Sequence, residues 1–173
     1  MKEQKAASHF SITLFTLIFS LVFIAFSCQQ TDHETVADQN EALVMQYIEA
    51  YNQRDLSGMQ KILTDPFLLG GEEIELNAFI DLVEGYWSTF PDIYLDATHV
   101  VGAENHTTVR ILLSGTGEGE LFGHDIDGKE VNVSEVILFG VSNGQIAEYW
   151  YAWDELGFLT QLGLIDSPYP GSE

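Results

Sequence analysis

The apolar residues change their period at Pro91-Asp92, and this constrains the fold more than any other feature of the sequence. Before that point, Leu43, Val44, Tyr47, Ile48 and Tyr51 recur at three- and four-residue steps, which predicts a helix from about Glu41 with one buried face. Asn52 to Asp55 breaks the pattern. A second short helix is expected over Leu56 to Leu63, ended by Asp65-Pro66, because the residue before proline is pushed out of helical geometry. A third runs from a cap at Asn77 to about Thr89, with Phe79, Ile80, Val83, Tyr86 and Trp87 at helical spacing. After Pro91 the chain alternates as strands do: Ile93 to Val101, Thr107 to Gly115, Glu118 to Phe122, and a hairpin over Asp125 to Gly128. Val131 to Val141 then pairs with Gln145 to Ala152 across Ser142-Asn143-Gly144, and a last helix covers about Glu155 to Leu162. Helices followed by a long meander predict an α+β layer fold, with N-terminal helices packed on a bent antiparallel or mixed sheet.

A chain of 173 residues has room for one such domain. Twenty-seven Asp and Glu against six Lys and Arg give a net charge of −21, which repels phosphate backbones and excludes nucleic acid as a partner. Lys2 and Lys5 precede an uncharged run from Phe10 to Phe26 that ends in Ser27-Cys28. A basic start, an apolar stretch and a small residue before the cut are the layout of a secretory signal. The segment resembles a bacterial lipoprotein signal, with Ala25-Phe26-Ser27-Cys28 as its lipobox and Cys28 as the lipidated residue. The alternatives are an ordinary secretory signal and an uncleaved anchor, for which about seventeen apolar residues is at the short limit for spanning. The expected organisation is a signal over 1–27, a polar tether over 28–40, the domain over 41–165 and a loose tail over 166–173. The expected address is the cell envelope, lipid-anchored outside the cytoplasmic membrane.

Within Val131, Val133, Glu135, Ile137 and Phe139, Glu135 is the lone charge on an apolar strand face. A buried carboxylate must be paired or protonated. Glu135 is therefore either an acid lining a pocket or a group reaching a strand edge, a partner or solvent. Val136 and Leu138 make the other parity apolar as well, which suggests burial on both sides and a homodimer through the sheet. Trp87, Tyr47 and Tyr51 are core residues by spacing and pocket-lining candidates by chemistry. Arg110 is expected to pair with a cross-strand acid.

Several ordered strings carry a resemblance: Phe90-Pro91-Asp92, Gly115-Thr116, Gly119-Glu120-x-Phe122-Gly123, Gly128-Lys129, Gly144-Gln145-Ile146-Ala147-Glu148-Tyr149-Trp150, Asp154, and Gln161-Leu162-Gly163. Together they resemble the SnoaL-like polyketide cyclase family, of the nuclear-transport-factor-2-like superfamily, over about Glu41 to Leu164. The resemblance implies a single cone of bent sheet wrapped by helices, and a small apolar carbonyl compound as ligand. It also implies aldol or isomerase chemistry without metal or cofactor, with Asp154 as general acid/base. Trp150 and Trp153 could supply the apolar wall that raises the pKa of such a carboxyl. Asp154 is equally well placed to cap the helix that follows it. The chain departs from the family where His is common: it has Gly117, Tyr149 and Leu68-Leu69-Gly70. Those departures leave open a non-catalytic binding or envelope-assembly domain. No metal-ligand spacing is present among the histidines, and Asp125 to Gly128 lacks the closing Glu of a calcium loop.

Overall fold

The computed structural model describes residues 35–167. The signal, Cys28 and the start of the tether lie outside the described residues, as does most of the tail.

Helix α1 (Val36–Gln53) starts five residues before the expected Glu41. Thr35 and Asp38 form a capping box, so residues 36–40, read from sequence as tether, are helical. Asn40 explains why the extra turn is held: its side chain is 6% exposed and donates to the carbonyls of Ala103 and Glu104 at 2.8 and 3.1 Å. Helix α2 (Leu56–Ile62) is capped by Asp55, whose carboxylate accepts from Gly58 N at 2.9 Å.

Asp65-Pro66 does not simply end that helix. Leu63–Leu69 forms strand β1, which turns at Gly70-Gly71 into β2 (Glu72–Ile74). Helix α3 (Leu76–Thr89) follows, and the Asp65 carboxylate caps it from β1 by accepting from Leu76 N at 3.2 Å. Strands β3 (Tyr94–Gly102) and β4 (His106–Thr116) lead to the short pair β5 (Glu120–Leu121) and β6 (His124–Asp125). The β5–β6 turn is Phe122-Gly123, and the expected turn over Asp125 to Gly128 follows it, closed by Lys129 N donating to the Ile126 carbonyl at 3.0 Å, with Ile126 fully buried and Asp127 and Gly128 exposed. Strands β7 (Glu130–Ser142) and β8 (Gln145–Trp153) complete the meander before helix α4 (Glu155–Gln161).

The main sheet has the order β2-β1-β8-β7-β4-β3, and β1 beside β8 is its parallel pair. Register shifts between Ala97 and His99, and between Gly140 and Val141, bend the long strands. The result is an α+β fold in which helices pack on one face of a strongly curved mixed sheet. Among the described residues, no helix is long and apolar enough to cross a membrane.

Cross-strand partners share a face, so the register sorts every side chain. Thr107, Phe139 and Tyr149 form one inner row, Val109, Ile137 and Tyr151 the next, and Ile111, Glu135 and Trp153 a third. Thr108, Leu138 and Trp150 point the other way, as do Arg110, Val136 and Ala152. Arg110 donates to the Thr98 hydroxyl at 3.2 Å instead of an acid.

Replacing Asn40 by Ala leaves two backbone carbonyls without their donor, so urea unfolding should show a loss of about 1–3 kcal/mol. Unchanged stability would mean that water replaces the amide there at no cost.

Candidate functional site

The inner face of β7 carries Glu135 between Ile111 on β4 and Trp153 on β8. The side chain is half-buried. Burial pushes its carboxyl up to about 7 from an ordinary 4.5, opposed by a long hydrogen bond of 3.5 Å from the Tyr149 hydroxyl to Oε1. Tyr149 anchors an aromatic cluster. Its ring centroid is 5.1 Å from Phe139, 5.8 Å from Tyr151, 6.0 Å from Phe79 and 6.3 Å from Tyr47.

Helices α1 and α3 close the site from above. Tyr47 and Tyr51 stand one turn apart on the buried face of α1, and Tyr51 meets Trp87 of α3 edge-on at 5.4 Å. Burial, and then the charges of neighbouring tyrosines and of Glu135, push the phenol pKa of Tyr47 and Tyr51 well above 10. Burial does the same to Tyr149, with Glu135 next in effect, and a smaller rise reaches Tyr86. These phenols remain protonated at physiological pH, so each carries a proton it can donate; the Tyr149 hydroxyl donates to Glu135. Among the described residues, two buried polar side-chain atoms lack a partner: Trp87 Nε1 and Thr107 Oγ1.

Tyr47, Tyr51 and Trp87 pack in the core, with Tyr47 and Tyr51 within electrostatic reach of Glu135. Trp150 does not join them. Alternation along β8 turns it to the outer face, 43% exposed, with its indole donating to Glu148 and its ring against Gly71. Asp154 is exposed and caps α4, its Oδ1 accepting from Gly157 N at 2.9 Å. A side chain at 157 would collide with that carboxylate, which explains the glycine. Tyr149, Tyr86 and Tyr151 were missed as site candidates, although strand parity puts Tyr149 and Tyr151 on the face of Glu135. Among the described residues, no group of three or more His, Cys, Asp or Glu could hold a metal ion.

The order of elements agrees with that of known proteins. The SnoaL-like polyketide cyclase family matches residues 41–162, and the chain belongs to it. Among solved structures, AclR from Streptomyces galilaeus is 26% identical, with a TM-score of 0.67, covering 76% of this chain and 99% of its own. TsrD from Streptomyces laurentii is 22% identical at a TM-score of 0.67, covering 73% and 96% respectively. A SnoaL-like polyketide cyclase from Agrobacterium tumefaciens is 18% identical at 0.64, covering 75% and 98%. The last two show the fold alone. Among curated proteins, none matches.

The raised pKa of Glu135 makes stability depend on pH. A carboxyl at about 7 in the folded state and 4.5 when unfolded favours folding fully below pH 4.5. That contribution is lost as pH rises through about 7, with an upper bound on the order of 3 kcal/mol at 1.36 kcal/mol per unit. Unfolding at pH 4 and pH 8 should therefore show Glu135→Gln gaining on wild type at the higher pH. Parallel pH profiles for the two proteins would contradict this.

Proposed function

We propose that the domain removes a proton from a carbon beside a carbonyl of a small apolar compound, with Glu135 as general base. One observation carries this reading: a lone carboxyl stands on an otherwise uncharged inner face, held by the Tyr149 hydroxyl and walled by aromatic rings. An acid titrating near 7 is matched to taking and returning a proton at neutral pH.

In the proposed reaction the ionised carboxylate takes the α-proton, and the C–H electrons move to the carbonyl oxygen as an enolate. The enolate carbon then attacks a second carbonyl of the same molecule, whose π electrons pass to its oxygen, and protonated Glu135 returns its proton to that oxygen as the ring closes. Alternatively, protonated Glu135 returns its proton to another carbon, giving an isomer. Neither route requires a metal or cofactor. Family membership supports cyclase or isomerase chemistry, while the helix-cap geometry of Asp154 favours Glu135 over it as the base. The second reading, a non-catalytic binding domain, draws on Gly117, Tyr149 and Leu68-Leu69-Gly70, where the family often carries His.

Deuterium uptake from heavy water by 2-tetralone, an enolisable ketone, tests the chemistry. The protein-dependent rate should rise with pH to a plateau, with a midpoint at about 7. It should fall by about 100-fold or more in Glu135→Gln and stay near wild type in Asp154→Asn. Exchange that survives Glu135→Gln and dies in Asp154→Asn would move the role to Asp154. Ketone binding without exchange would leave the binding reading.

The basic start, the apolar run and Ser27-Cys28 support a lipid anchor that would hold the domain in the cell envelope. Labelled fatty acid should enter wild type and not Cys28→Ala; equal labelling would contradict the anchor. Outward Val136 and Trp150, 44% and 43% exposed, support a homodimer through the sheet. Light scattering at micromolar concentration should give the mass of two chains, and a mass of one chain would overturn the dimer.

A further inference from the structure

Building on the reading of Glu135 as base, we propose that the Tyr51 hydroxyl donates the hydrogen bond to the ligand's carbonyl oxygen, and that Trp87 is the positioning residue that aims it. The proton-transfer reading needs a second group, because taking a proton from carbon places negative charge on an oxygen some ångströms from the carboxylate. A donor fixed in advance at that oxygen stabilises the charge where it forms.

Tyr51 has the chemistry for this. It is 6% exposed, so its phenol works in an apolar surrounding, and no hydrogen bond within the described residues spends its proton. It lies within electrostatic reach of Glu135, whose charge contributes to raising the phenol pKa. The same burial keeps it protonated, which makes it a donor in both the resting and the enolate state.

Trp87 determines where that proton points. The indole N–H lies beside the Tyr51 oxygen, near enough to lower the phenol pKa against the larger upward push of burial. The contact falls short of a hydrogen bond, and Nε1 stays buried and unpartnered. An indole nitrogen donates and cannot accept, so it occupies the acceptor side of the phenol oxygen and turns the phenol proton away from itself. Trp87 is in turn held by Arg54. The Arg54 guanidinium lies 5.1 Å from the Trp87 ring centroid and donates to the Pro91 carbonyl. A ligand oxygen that draws the Tyr51 hydroxyl into line would also give the stranded N–H its acceptor. Arg54, Trp87 and Tyr51 thus form a braced chain from the surface to the site, ending in a single donated proton.

The test uses 2-acetylnaphthalene carrying carbon-13 at the carbonyl, with naphthalene as the matched probe lacking oxygen, on the full chain. In wild type the bound carbonyl stretch should sit below its frequency in cyclohexane. In Tyr51→Phe it should return toward the cyclohexane value, with about tenfold weaker ketone binding and unchanged naphthalene binding. Trp87→Phe should retain binding but give a carbonyl band between the two. If the ketone binds wild type with no shift from cyclohexane, the donor assignment is overturned even where Tyr51→Phe does not fold, while the Glu135 reading stands on its exchange assay. A Trp87→Phe band identical to wild type overturns the positioning role. If neither probe binds wild type, both this inference and the proposed function fail.

Discussion

A carboxyl group on the inner face of a curved sheet has to be accommodated, and much of this domain's chemistry follows from how Glu135 is. Its strand neighbours are Ile111 and Trp153, and its hydrogen bond comes from a neutral phenol. A neutral donor relieves part of the desolvation cost without cancelling the charge, so the proton affinity rises instead of falling. Had Arg110 stood on the same parity, an ion pair would have pinned the carboxylate in its charged form. The register instead sends Arg110 to the outer face, to Thr98. The site is thereby left with an acid that can exchange its proton near neutrality and with donors that cannot lose theirs.

The helices complete this arrangement instead of merely covering the sheet. Tyr47 and Tyr51 repeat one turn apart on α1, and Trp87 comes from α3, so the aromatic walls depend on how the two helices seat over β7 and β8. Strands β1 and β2 between them set that seating. The parallel pairing of β1 with β8 and the antiparallel return through β2 carry the chain from α2 to α3, and Asp65 caps α3 from within β1.

Much of the fold was legible because it rests on local periodicity: three helices, four long strands and the terminal helix lie close to where the apolar spacing puts them. The parts that escaped depend on distant partners. Strand β1 is short and interrupted by Pro66, and besides the small return strand β2 its partner is the parallel β8, about eighty residues on. The first turn of α1 reads as polar linker until Ala103 and Glu104 supply acceptors for Asn40. In the site, Glu135 was visible as a charge among alternate apolar residues. The same parity rule applied to β8 selects Tyr149, Tyr151 and Trp153 and rejects Trp150. The capping geometry of Asp154 also has a local signature, Asp-x-x-Gly, which Asp55 and Gly58 repeat at α2. What no spacing reveals is the stranded Trp87 N–H, since it arises from the docking of two helices.

The central claim is that burial, without a compensating cation, holds Glu135 near neutrality. Carbon-13 NMR titration of its side-chain carboxyl, assigned by comparison with Glu135→Gln, measures this directly. The account predicts a midpoint at about 7, rising further in Tyr149→Phe as the hydroxyl that favours the carboxylate is removed. A midpoint at or below the ordinary 4.5 would show a solvated or paired carboxylate and contradict the account.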